Sequence, residues 1–165
     1  MEKQPVLIVF DVDGTLAKAG TAPDQDADQA TWETYLSSLQ PERNMVAIVQ
    51  HYLKMTNVEL MFCTSRPKSL FRVTWQWLNK TLGLAASGKR ASLVCRPDDE
   101  PSSHVSAGKV SEVVQAIRRV GSRPAEAFIY DDDLQNLRLY ESLRPLVATL
   151  RLFKVEAGVA SEWSL

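Results

Sequence analysis

Short apolar runs alternate with helix-period segments along this chain, and that alternation constrains the fold more than any single motif. Val6-Leu7-Ile8-Val9-Phe10 is rich in β-branched residues, is bounded by Pro5 and an acidic turn, and reads as a strand buried on both faces. Residues 59–63, 92–95, 127–130 and 146–153 read as further strands, the last with alternation. Between them lie amphipathic helices. Trp32, Tyr35, Leu36 and Leu39 share one stripe, and Val46, Val49, Tyr52 and Leu53 another. Phe71, Trp75, Leu78 and Leu82 form a third, and Val110, Val113, Val114, Ile117 and Val120 a fourth. Buried strands joined by such helices imply a mainly parallel sheet covered on both faces, so the expected class is α/β with three layers.

With 165 residues the chain has room for one domain and can bury about two-thirds of its unfolded surface without disulfide or metal staples. Lys+Arg 19 against Asp+Glu 20 leaves a net charge of -1, which argues against a protein held to nucleic acid by bulk electrostatics. A local basic pocket stays open. Cys63 and Cys95 lie in apolar runs and read as reduced thiols. The first apolar run is too short for a signal-peptide core, and no run approaches the ~20 residues of a membrane span. The expectation is a soluble, cytoplasmic protein with no membrane association and no protein partner implied.

Residues 17–28, 83–90 and 96–106 read as loops. Residues 83–90 nearly spell a phosphate-binding P-loop, but Arg90 stands where its hydroxyl residue belongs and a helix comes before it; Gly83 reads instead as a helix C-cap. The tail, residues 156–165, is left open between docked and frayed. His51 and His104 show no metal-ligand spacing and read as surface residues. Trp75, on the apolar stripe, reads as core, and Trp77, off it, as the freer ring for stacking on a base.

In an open α/β sheet, ligands bind beyond the carboxyl ends of the strands. The first strand is followed by Asp11, Val12, Asp13, Gly14 and Thr15, and the fourth by Asp131, Asp132 and Asp133. Two acidic groups at neighbouring strand ends repel unless a cation neutralises them, and carboxylates with water and phosphate suit Mg²⁺. Gly14 lets the chain turn with backbone N–H groups exposed. Ser106 reads as an N-cap, placing Lys109 in the first turn of its helix, where a cation opposes the macrodipole unless an anion or the acid cluster faces it. Thr64, Ser65 and Arg66 follow the second strand, and hydroxyls with N–H groups at a helix start form an anion site that Arg66 extends. Arg66, Lys68, Arg72 and Arg96 are candidates for a basic rim.

The string from Val6 through Asp11-Val12-Asp13-Gly14-Thr15 resembles the first motif of the haloacid dehalogenase-like (HAD) phosphohydrolase superfamily. The run ending in Thr64 resembles the second motif, Lys109 the third, and Asp131 with Asp132 the fourth, in family order over roughly residues 5–140. Thr64-Ser65-Arg66, Thr74-Trp75 and Val94-Cys95-Arg96-Pro97 further resemble the phosphatase domain of phage-type polynucleotide kinase/phosphatases. Ser65 stands where that group has Gly, and Asp133 where it often has Arg, which leaves open which two of the three aspartates face the metal.

The resemblance implies a Rossmann-like HAD domain over residues 1–155, and residues 17–56, a short helical insertion between the first motif and the second strand, leave little room for a large cap. It implies Mg²⁺-dependent phosphomonoester hydrolysis. Asp11 would act as nucleophile and Asp13 as general acid and base. Asp11, the Asp13 backbone carbonyl and the 131–132 pair would hold the metal, and Thr64 and Lys109 would neutralise the phosphoryl group. Gly14, Thr15, Ser65, Arg66 and Arg96 are the expected substrate contacts. The substrate would be a phosphorylated nucleic-acid end, hypothetically a 3′-phosphate, or a nucleotide. A generic metabolite phosphatase is the nearer alternative, and a phospho-accepting signalling or binding module the more distant one.

Overall fold

The computed structural model of the chain describes residues 5–101, 105–119 and 126–165. A six-stranded sheet has the order β3-β2-β1-β4-β5-β6. Its members are β1 (Val6–Asp11), β2 (Val58–Pro67), β3 (Ala91–Arg96), β4 (Glu126–Asp131), β5 (Thr149–Glu156) and β6 (Val159–Trp163). The first five run parallel, and β6 pairs antiparallel with β5.

β1 lies at the centre between β2 and β4, and all six of its residues are buried. Successive side chains on a strand point to opposite faces. Ile8 and Phe10 therefore pack with Leu36, Met45, Val49 and Leu78 of the helices α1 (Gln29–Ser38), α2 (Arg43–Leu53) and α3 (Phe71–Leu82). Leu7 and Val9 pack on the other face with Val113 and Ile117 of α5 (Val105–Arg119) and Leu137 and Tyr140 of α6 (Leu134–Tyr140). This two-faced burial is why the run carries no polar residue until Asp11. Truncating Ile8, fully buried, to Ala would cost about 2–5 kcal/mol.

The three layers match the α/β class, but several local expectations need correction. Trp77 is core: it is 5% exposed and its indole N–H donates to the Leu39 carbonyl at 2.9 Å. Trp75 is only partly buried and stacks on Phe71, which is 40% exposed. The buried stripe of α3 runs through Val73, Thr74, Trp77, Leu78 and Leu82. Thr74, a polar residue inside that stripe, disguised it. Residues 141–146 form a 3-10 turn after α6, so the strand expected from residue 146 begins instead at Thr149. Ser106 lies inside α5 and not before it, so Lys109 falls one turn into the helix. Val120 and His104 lie outside the described residues.

Residues 83–90 are the loop expected of them, holding the single turn α4 (Leu84–Ser87), and Gly83 caps α3 in the left-handed conformation at φ 71°. The tail is a strand. β5 and β6 meet at a two-residue turn, Ala157 and Gly158, both at positive φ (47° and 76°). Such a turn matches the twist of the paired strands.

Candidate active site

β1 delivers Asp11 to the carboxyl edge of the sheet, and the chain then turns tightly. The Leu16 and Ala17 N–H groups both donate to the Val12 carbonyl, and Gly14 N–H donates to the Ala17 carbonyl at 2.9 Å. The Gly14 N–H is therefore consumed in closing the turn and is not presented to a ligand, contrary to the sequence expectation. Gly14 is required for two other reasons. It sits at φ 81°, and a Cβ there would fall 2.2 Å from Asp132 Oδ2.

Asp11 is held from two sides. Thr15 Oγ1 donates to its Oδ2 at 3.1 Å, and Lys109 Nζ donates to its Oδ1 at 2.6 Å. Lys109 also lies 3.5 Å from Asp131 Oδ2. Asp131, at the end of β4, accepts from Asn136 Nδ2 at 3.1 and 3.0 Å and from the Asp133 N–H at 2.9 Å. Asp133 itself turns away: its carboxylate caps α6 by accepting from the Gln135 N–H. Lys154 donates to the backbone carbonyl of Asp132 and so anchors the second acid.

Carboxylate oxygens of Asp11, Asp131 and Asp132 converge within 4.8 Å of one another. Burial, then the nearby Asp11 charge, pushes Asp131 up to about 7 and Asp132 up to about 6. Burial works against charge on Lys109, but Asp11 and Asp131 outweigh it and hold the ammonium well above its ordinary range. Three carboxylates around one ammonium leave an excess of negative charge that a hard divalent cation would neutralise, and an all-oxygen donor set suits Mg²⁺. The residues present thus fit the ion that the acidic motifs suggest.

Asp13 points to the other side of the turn, where its half-exposed carboxylate meets β2. Arg66 Nη2 and Nε donate to its two oxygens at 2.6 and 2.9 Å, a bidentate pair, and Thr64 Oγ1 donates at 3.3 Å. Arg66 Nη1 donates to Thr74 Oγ1 at 3.1 Å, which ties the guanidinium to α3. Arg66 is buried and all three of its guanidinium nitrogens are engaged within the protein, so it holds Asp13 while also lining the cleft. The Asp13 carboxylate is not among the three converging acids; the sequence reading gives its main-chain carbonyl to the metal. Arg96 likewise acts as a loop staple, donating to the carbonyls of Ser65, Pro97 and Glu100. Ser65 and Arg96 still line the cleft beside Asp13. Lys68 and Arg72 are exposed side chains.

Asn136 and Lys154 were not singled out from the sequence, and Thr74 entered only with the Thr74-Trp75 pair of the family resemblance. Thr74 and Asn136 carry a readable signal, a hydrogen-bonding side chain at helical spacing among buried neighbours. Lys154 carries none, because only the β4–β5 register places it opposite Asp131. Cys63 and Cys95 are unpaired, and burial pushes their thiols up to about 12 and about 11, so neither is an activated nucleophile.

No protein-family model and no curated protein matches this sequence. Among solved structures, the fold is similar to the HAD domain of the effector protein Lem4 from Legionella pneumophila, determined as an inactive mutant. The TM-score is 0.64 at 12% sequence identity, over 94% of this chain and 88% of that one. The fold is therefore the Rossmann-like HAD fold. No helix among the described residues is long and apolar enough to cross a membrane.

Proposed function

We propose that this chain is a Mg²⁺-dependent phosphomonoester hydrolase that works through a phosphoaspartate on Asp11. One observation carries the reading: a nucleophile-capable carboxylate, oriented by Thr15 and Lys109, shares its strand edge with a second pair of acids and stands two residues from Asp13.

In the first step an Asp11 oxygen attacks phosphorus, the bond to the leaving oxygen breaks, and Asp13, protonated on an oxygen released from the Arg66 fork, delivers that proton to the leaving oxygen. In the second, water attacks the phosphoaspartate, its proton passes to Asp13, and inorganic phosphate leaves with Asp11 regenerated. Lys109, beside Asp11, and Thr64, beside Asp13, would donate to the phosphoryl oxygens as charge redistributes. Arg66 and Thr64 keep Asp13 at the mouth of the site. Asp11, the Asp13 carbonyl and the acids at 131 and 132 would hold Mg²⁺, which when bound would neutralise charge on the transferring phosphoryl group. The substrate is a phosphomonoester with a bulky leaving group, a nucleotide or a nucleic-acid end, admitted by the cleft that the described residues form beside Asp13 and Gly14.

Phosphate release from 3′- and 5′-phosphorylated oligonucleotides, mononucleotides and an aryl phosphate, with Mg²⁺ and with a chelator, tests the reading. Metal-dependent release that disappears in Asp11→Asn is the expected result. Absence of release from every substrate by folded, metal-loaded protein contradicts it.

A further inference from the structure

A cleft of about 840 Å³ runs from Asp13, Gly14 and Asp132 to Trp32 and Tyr35 on α1. That volume falls within the roughly 300–1,000 Å³ range of small-molecule sites and far exceeds what a bare phosphate needs. At its far wall Trp32 and Tyr35 meet edge to face, centroids 6.1 Å apart at 83°. Both rings are half-buried: they back onto the core of the α1–α3 layer and turn their remaining surface to the cleft. The Tyr35 hydroxyl lies close over Gly20, 3.1 Å from where a Cβ would sit, so the residue 17–28 loop is fitted around the aromatic wall. Lys18 lines the same cleft, and its ammonium makes no ion pair among the described residues.

We propose that this cleft takes the leaving group of the substrate and that the group is a nucleoside, its base stacked on Trp32. The inference rests on the phosphatase reading, because the acid cluster fixes one end of the ligand and the aromatic wall the other. An aliphatic leaving group would leave the ring faces without a stacking partner, whereas a base on a sugar offers a flat π-face and hydrogen-bonding edges together. The chemistry assigns Trp32 the specificity that the sequence had offered to Trp77, now a core residue.

Kinetics of the full chain with Mg²⁺ on adenosine 3′- and 5′-monophosphate and on glycerol 2-phosphate, which has no ring, test this for wild type, Trp32→Phe and Trp32→Leu. Stacking on an aromatic side chain changes binding by about 5- to 150-fold. Wild type should therefore prefer an adenosine monophosphate in kcat/KM by at least about tenfold. Trp32→Leu should erase most of that preference, and Trp32→Phe should keep much of it. Equal kcat/KM for the two classes in wild type, or an equal loss on both in Trp32→Leu, overturns the proposal. If neither class is hydrolysed, the phosphatase reading fails separately, and the cleft is read by fluorescence. Adenosine monophosphate should quench wild-type tryptophan emission more than that of Trp32→Phe, and indistinguishable quenching overturns it.

Discussion

The Lys109 ammonium lies 2.6 Å from Asp11 and 3.5 Å from Asp131, so one buried cation bridges the ends of β1 and β4. Removing one partner of a buried ion pair leaves the other charges uncompensated, typically at about 3–5 kcal/mol. Lys109→Met should lower the thermal midpoint of the metal-free protein, and Mg²⁺ should restore part of it. Activity should fall by about 10²–10³ even with metal present, since a donor to the transferring group is lost. Calorimetry with and without chelator, beside phosphate release, checks both.

Gly14→Ala places a methyl group 2.2 Å from Asp132 Oδ2 at φ 81°. Asp132 must move, and the converging acids separate. Titration calorimetry should show Mg²⁺ affinity reduced at least about tenfold, together with a loss of stability of about 1 kcal/mol or more from the left-handed backbone. Unchanged metal affinity would remove Asp132 from the metal site.

The acid cluster sets a pH dependence. Burial and the nearby Asp11 charge raise Asp131 to about 7 and Asp132 to about 6 from an ordinary 3.8. Between those values the folded state holds more protons than the unfolded state, so stability falls as pH rises. This contribution is fully present below about pH 4 and is lost by about pH 7 in the absence of metal. Asp132→Asn should reduce the slope of the metal-free thermal midpoint across that window, leaving the share that Asp131 contributes. Protons compete with Mg²⁺ for the same oxygens, so added Mg²⁺ should raise the wild-type midpoint more at pH 8 than at pH 5.

The acids at 11, 131 and 132, with Lys109, were legible in the sequence because each follows an apolar run or lies on a strongly periodic helix, and the parallel topology does the rest. The details that side-chain packing decides were not. Thr74 looks polar in the α3 stripe but is buried as the partner of Arg66, which shifted the expected face and exchanged the roles of Trp75 and Trp77. Arg66 reads from the sequence as a phosphate contact or part of a basic rim, and its bidentate hold on Asp13 depends on side-chain geometry that the sequence does not carry. The third aspartate was ambiguous until Asp133 proved to be the cap of α6, a seven-residue helix too short to announce itself by period. β6 escaped because its pairing to β5 depends on the turn at Ala157 and Gly158.

That turn yields a prediction of its own. Ala157 holds φ 47°, a conformation disfavoured for a residue with a Cβ but tolerated by Asn. Ala157→Asn should stabilise the chain by about 0.5–1 kcal/mol with no change in activity. Gly158→Ala should destabilise it, since a Cβ there would come within 2.5 Å of Glu42 Oε2 at φ 76°. Paired denaturant titrations compare the two.

The central claim is that Asp11 carries the phosphoryl group transiently. Rapid acid quenching of the Mg²⁺-loaded chain during turnover, followed by peptide mass mapping, should find phosphate on Asp11. The adduct should form and decay at rates compatible with steady-state release, and Asp11→Asn should give neither adduct nor turnover. Turnover that persists in Asp11→Asn would contradict the account. An adduct that accumulates on Asp11 and does not hydrolyse would also contradict it, and would identify a phospho-accepting switch in place of a hydrolase.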